Sequence, residues 1–398
     1  MERYQHCELR MDGIGTYLER NIPLQLLIRT ILFDKKAPPL GGAFFLMHFW
    51  GMRNLVLFVF TMLVLVRCGA PEQPTKTPDV HTSESIAVSI KDPIDSINNV
   101  LRDAPNDLDA LEYRASLYLK RQNLKYAAAD IAAVLELDSS RTKALELWGD
   151  ISFATNQTRQ SRDAWVRCMK EDPNYVPCRL KMAQLYHVVT EFEKSAALVD
   201  EVLEMEPSNA EAAYLKGLLM RDALEDTTRA LDWFQKAIDF KPDYIEALDM
   251  SGVLYSSLGN PLALGYFNRL IELQPDIRVH FYNRGMFYLS QQNWNGALED
   301  FTKCTQLDPQ DLESFFNIGY VHLQLQLYAE ARQYFTQALA IQPVNHRALY
   351  GRGYCFELLG DLPNAEADYR QALSFNPQHR GSQEGLGRIE RARAQSGQ

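Results

Sequence analysis

Residues 278–311 read RVHFYNRGMFYLSQQNWNGALEDFTKCTQLDPQD. Phe281, Gly285 and Tyr288 recur at i, i+4 and i+7, which places them on one face of a helix. Ala297, Phe301 and Cys304 repeat that spacing, so a second amphipathic helix follows the first. Pro309 closes the unit, because proline lacks an N–H and clashes with the preceding turn. The small residues let two antiparallel helices approach, and the aromatic residues fill the space beside them.

The same pattern extends outward in both directions. Leu349, Gly353 and Phe356 with Ala365, Tyr369 and Ala372 form one copy, and Phe315, Gly319 and His322 with Ala331, Phe335 and Ala338 form another. Prolines mark the period. Pro105, Pro173, Pro207, Pro242, Pro275, Pro309, Pro343 and Pro377 follow one another at nearly even intervals, except that the first gap is doubled and Ser139 occupies the skipped slot. Eight units are expected, at 108–141, 142–175, 176–209, 210–244, 245–277, 278–311, 312–345 and 346–379. In the second and third, Ser161 and Ser195 replace the small apolar residue, and Ser152 replaces the first aromatic. Residues 92–107 are expected to hold an N-terminal capping helix, and 380–398 a polar capping helix and tail over the last apolar face.

The order small, aromatic, small, aromatic, small, Pro at these offsets resembles the tetratricopeptide repeat, whose period is about 34 residues. The resemblance covers residues 108–379, about two-thirds of the chain, and implies an all-α superhelix of about eight helix hairpins. It further implies a non-catalytic scaffold that holds a protein or peptide in a concave groove lined by the first helix of each repeat. Positions 2, 5, 9, 12 and 13 would touch the ligand. In repeats 1 and 2 the wall would be mostly acidic (Asp109, Glu112, Asp150, with Glu146 beside Lys143). In repeats 6 to 8 it would carry Tyr282, Met286, Phe316, Tyr320, Tyr350 and Tyr354, either as an exposed contact surface or as packing against the next repeat. Asn317 stands where the family often bonds a peptide backbone, as does Asn283, and Arg347 could meet a carboxylate. Tyr282 and Met286 occupy places where the chaperone-type carboxylate clamp needs Lys and Asn, so chaperone C-termini are not expected ligands.

Three repeats share another regularity. Arg114, Arg284 and Arg352 are each followed by an Asp at one and the same offset, at Asp130, Asp300 and Asp368, which predicts an ion pair clipping each hairpin.

The chain has 398 residues, with 41 Lys+Arg against 51 Asp+Glu, a net charge of -10. No basic stripe offers itself to nucleic acid. Residues 1–67 hold 8 Lys/Arg and 5 Asp/Glu, leaving 33 against 46 in the rest. A basic, apolar N-terminus thus precedes an acidic body. Met52–Arg67 contains the run Leu55–Val66, too short for a span of about 20 residues and suited to a signal-peptide core. It ends at Cys68, resembling the signal of bacterial lipoproteins, although Arg67 stands where such signals usually have a small residue. Cys68 is the lipidation candidate, 68–91 would be a flexible tether, and 1–51 is read as an extension ahead of a start at Met52. An uncleaved anchor over Leu40–Val66 would carry His48 and Arg53, at a cost of roughly 2.5–3.5 kcal/mol for a mid-membrane charge. The expected setting is the bacterial periplasm or cell envelope, with the membrane reached through a lipid or signal anchor. A soluble cytoplasmic adaptor or co-chaperone is the alternative.

No phosphate-binding loop, CxxC, HxxxH or HExxH spacing is present, so no enzyme activity, cofactor, metal or small-molecule substrate is expected. Cys168 and Cys178 flank the Pro173 turn; a disulfide is conceivable in an oxidising compartment, and buried thiols are the favoured reading.

Overall fold

The computed structural model describes residues 92–397. The extension, signal and tether assigned to 1–91, with Cys68, lie outside the described residues. Eighteen helices and no strand occur among those described. A lone helix α1 (Pro93–Asp103) leads. Eight hairpins follow: α2 (Leu108–Lys120) with α3 (Leu124–Leu137), α4 (Thr142–Ala154) with α5 (Thr158–Glu171), α6 (Val176–Val188) with α7 (Phe192–Met205), and α8 (Ala210–Leu224) with α9 (Thr227–Phe240). Then come α10 (Ile245–Ser257) with α11 (Ala263–Leu273), α12 (Arg278–Ser290) with α13 (Trp294–Leu307), α14 (Leu312–Gln324) with α15 (Tyr328–Ile341), and α16 (His346–Leu358) with α17 (Leu362–Phe375). Helix α18 (Arg380–Ser396) ends the described chain.

Local chemistry sets both ends of each hairpin. Every second helix stops at a residue with φ between −145° and −130° and ψ between 72° and 98°, from Asp138 through Asn376. In seven of the eight the next residue is proline, whose ring pushes its predecessor out of the helical region. Ser139 follows Asp138 in the first repeat, so the stop there does not depend on the ring. Side-chain oxygens of Asp107, Asn209 and Asn345 then accept the N–H of Ala110, Ala212 and Ala348 and start the next first helix. Between the two helices of a hairpin the chain passes through the left-handed region, at Gly259 and Gly360 and also at non-glycine residues such as Thr190 (φ 61°) and Gln326 (φ 60°).

Within each hairpin a bare helix surface receives an aromatic ring. A Cβ on Gly285 would lie 2.9 Å from Phe301, and one on Gly149 would fall inside the Trp165 indole. The two serines at small-residue positions are satisfied rather than exposed: Ser161 Oγ donates to the Gly149 carbonyl and Ser195 Oγ to the Ala183 carbonyl, both at 2.8 Å. Each hydroxyl therefore replaces a methyl without leaving an unpaired group in the core. First helices of successive repeats also touch one another, as α2 does α4 and α6 does α8. Second helices pack mainly on the first helices either side, which puts the first helices on the crowded inner side of the superhelix.

The three Arg–Asp pairs meet as forks. Arg114 Nη2 is 2.7 Å from Asp130, Arg284 Nη2 2.6 Å from Asp300 and Arg352 Nη2 2.7 Å from Asp368. Two of them reach further: the Nη1 of Arg114 donates to Asn98 Oδ1 and that of Arg284 to Asn268 Oδ1, on the preceding helices α1 and α11. Besides closing its own hairpin, Arg114 therefore ties the first repeat to the lone helix α1, and Arg284 ties the sixth repeat to the fifth.

Candidate partner-binding cavity

The aromatic residues singled out in repeats 6 to 8 are largely wall, not open surface. Phe316, Tyr320 and Tyr350 are buried, while Tyr282, Met286 and Tyr354 are half-buried. Tyr282 packs on Phe301, Phe316 on Phe335, and Tyr350 on Tyr354 and Tyr369. Asn317 is buried too, donating to the Tyr282 hydroxyl (3.4 Å) and facing Met286 Sδ (3.5 Å). Arg347 lies over the Phe316 ring at 4.4 Å and 3.7 Å from Glu313. Large side chains at positions 5 and 9 close this end of the wall against neighbouring helices.

The acidic N-terminal wall is likewise occupied. Arg141 bridges Asp109 and Glu112, and the buried Glu146 accepts from Lys143 (2.8 Å) and Tyr175 (2.5 Å).

Between these ends, where the ninth position holds Asp150, Gln184 and Leu218, the wall opens into a cavity of about 570 Å³. Its lining comes from repeats 2 to 5. Phe153, Trp165, Leu185, Leu215 and Leu218 supply apolar surface; Asp150, Lys181, Gln184, His187, Tyr214 and Arg221 supply polar groups. Lys181 Nζ is 3.3 Å from Asp150, and Gln184 Nε2 donates to Glu211 Oε1 at 2.6 Å. His187 Nε2 is 2.9 Å from Asp222 Oδ2, and Arg221 Nη2 donates to the same carboxylate at 2.8 Å. Burial alone would raise the Asp222 carboxyl; the contacts from His187 and Arg221 overcome it and hold the group at about 2. Burial raises Asp150 and Glu211, and the Lys181 ammonium only partly offsets that. Spacing puts Gln184, His187, Tyr214 and Arg221 alike at wall positions without marking any of them as lining a cavity, and it gives Lys181 no wall position. Their signal is the ninth position, where Asp150, Gln184 and Leu218 stand in place of the Met286, Tyr320 and Tyr354 of repeats 6 to 8.

Beside this cavity Asp249 is pushed up to about 6 by burial, with only Asn283 bonding to lower it. Its folded value exceeds the unfolded one, so the folded state holds the proton more tightly, and stability falls as pH rises from about 4 to 6. Asp249→Asn is therefore expected to raise unfolding free energy by ~2 kcal/mol at neutral pH and by a small fraction of that at pH 4. Urea titrations at the two pH values check this; an equal effect at both would refute it.

A disulfide joins Cys168 on α5 to Cys178 on α6, correcting the preference for buried thiols. Consecutive repeats press the end of one second helix onto the start of the next first helix, which brings these two residues side by side. Trp165 and Leu185 belong both to the core cluster around this bond and to the cavity lining. The cavity floor is thus continuous with the covalent junction. Gly149→Ala would drive the Trp165 ring from its seat, with an expected loss of ~2 kcal/mol. A shift in tryptophan emission should accompany it, and unchanged emission and stability would show that the indole has another seat. The remaining described cysteines, Cys304 and Cys355, are buried, and burial pushes both thiols up to about 12.

Tetratricopeptide repeat models match residues 180–245 and 313–380, and a second such model matches 281–311. The chain carries tetratricopeptide repeats. Among solved structures, this TPR protein is similar to the C-terminal part of a TPR repeat-containing protein from Cytophaga hutchinsonii: TM-score 0.52 and 16% identity, covering 60% of this chain and 98% of that one. That likeness concerns the fold. YrrB, described as a TPR protein with an unusual peptide-binding site, is 26% identical with a TM-score of 0.43 over 48% of this chain and 98% of its own. The mitochondrial import receptor subunit TOM70 of Rattus norvegicus and that of Mus musculus are each 24% identical over 177 residues, 42% of this chain. The TPR match spans 29% of the length of those receptors. The repeats are protein-interaction scaffolds as a family. No group of residues suited to a metal ion occurs among those described, and no described helix is long and apolar enough to cross a membrane.

Proposed function

We propose that this TPR protein is a membrane-tethered, non-catalytic scaffold that holds a partner polypeptide against the first-helix wall of repeats 2 to 5. The observation that carries the reading is the cavity of about 570 Å³, whose apolar floor is surrounded by a few converging polar groups. The similarity to import receptor subunits agrees with a role in holding another polypeptide. Affinity capture from membranes tests the groove, with Leu218→Trp as the variant because it fills the cavity from a half-buried position. Loss of the captured proteins with helicity retained is expected; an unchanged set would remove the groove from consideration.

The tether rests on the run at Leu55–Val66 and on Cys68. The Cys168–Cys178 disulfide supports the same setting, since such bonds persist in oxidising compartments and are rare in the cytosol. Cys68→Ala should move the protein from the membrane to the soluble fraction, and continued sedimentation with membranes would count against lipidation.

A further inference from the structure

We infer that the cavity of repeats 2 to 5 takes a lysine or arginine side chain, presented next to an apolar residue on an extended segment of the partner. The inference rests on the groove reading above and specifies its chemistry.

The argument is one of charge and space. Arg221 and the His187 ring converge on Asp222 and are spent there, so that part of the lining is closed to a new anion. What remains is uneven. Asp150 lies in the lining, Glu211 is bonded to the lining residue Gln184, and Glu246 stands at the matching position of the next repeat. Against these carboxylates there is one ammonium, Lys181, already 3.3 Å from Asp150. Lys143, the next basic residue along the wall, is taken by Glu146.

Burial holds both Asp150 and Glu211 above the ordinary carboxylate range, and neighbouring acids add to it: Glu146 for the first, Glu246 and Asp150 for the second. Two desolvated carboxylates sharing one cation form a site in which a second cation gains more than it would in water. The apolar floor of Phe153, Trp165, Leu215 and Leu218 accounts for the neighbouring apolar residue. An incoming carboxylate or phosphate meets the opposite situation, because Lys181 and Arg221 already face acids.

The test uses fluorescence anisotropy on the full chain with three short labelled peptides of repeating Lys-Leu, Ser-Leu and Glu-Leu. The Lys-Leu peptide is expected to bind about tenfold more tightly than Ser-Leu, with Glu-Leu weakest. Asp150→Asn/Glu211→Gln should erase the preference; both changes are isosteric and relieve buried charge, so the fold is retained and circular dichroism verifies it. Equal binding of the three peptides, or tighter binding of Glu-Leu, overturns the inference. The two readings fail separately. If Leu218→Trp loses the captured proteins while the peptides show no cationic preference, the groove stands and its cationic chemistry falls. If Leu218→Trp loses nothing, the groove itself falls.

Discussion

Tyr369→Ala is expected to lower unfolding free energy by about 4 kcal/mol, the range for emptying a fully buried aromatic site. The ring is completely buried, close against Gly353 on α16 and Gly385 on α18, with the Tyr350 centroid 5.8 Å away. Its hydroxyl donates to Glu357 at 2.6 Å, and Arg388 forks onto the same carboxylate at 2.6 and 2.9 Å. One side chain therefore joins the last hairpin to its capping helix. In a chain where each repeat leans on its neighbours, the damage should stay at that end. Hydrogen exchange should show protection lost first in α17 and α18 and kept in the N-terminal repeats. Tyr369→Phe should cost only ~1 kcal/mol, because Glu357 keeps Arg388. An Ala variant as stable as the Phe variant would show that the ring is not the joint.

The second large effect is expected from Arg284→Met, about 3 kcal/mol of destabilisation. Asp300 has a side chain only 2% exposed, and Arg284 is its cation, at 2.9 Å through Nε and 2.6 Å through Nη2. The two partners give different impressions of the pair. Asp300 holds the Arg284 guanidinium up, as a favourable pair does, whereas burial raises the Asp300 carboxyl more than Arg284 lowers it. Desolvation of the carboxylate explains both: the assembled pair is near break-even, and the broken pair is expensive. Arg284→Met/Asp300→Leu should therefore recover most of the stability lost in the single variant. Without Arg284 the carboxyl is raised further, so the folded state favours the protonated form and the deficit should shrink as pH falls. Denaturant unfolding of the single and double variants at neutral and acidic pH checks this. A double variant as weak as the single one would mean that the pair itself is strongly stabilising.

The hairpins could be read from the amino acids because each rests on local rules. Proline forces its predecessor extended, and a glycine four residues from an aromatic leaves room for the facing ring. The ion pairs were readable for the same reason, since a constant offset carries the chain from one helix to the facing position on the next. Exposure of the wall was not readable. A helix in a two-layer protein buries one stripe, but α12, α14 and α16 are enclosed by their own second helix and by helices of adjacent repeats. Phe316, Tyr320 and Tyr350 consequently lie in core that a single-stripe count would leave outside. The cavity is the converse case. It arises where Asp150, Gln184 and Leu218 occupy the ninth position, and smaller side chains there carry no motif of their own. The Asn98 and Asn268 links of the arginines were hidden too, because they depend on the angle between repeats and not on spacing within one.

The bond between Cys168 and Cys178 also has a mechanical meaning. A solenoid pulled from its two ends yields repeat by repeat, each step releasing the contour length of one hairpin. Here the chain between α5 and α6 is bypassed by a covalent link, so roughly 30 Å of extension stays hidden while the disulfide is intact. Tension then passes directly from the second repeat into the third, across the floor of the cavity. Under force, a reductant would lengthen this molecule at the wall proposed to hold its partner.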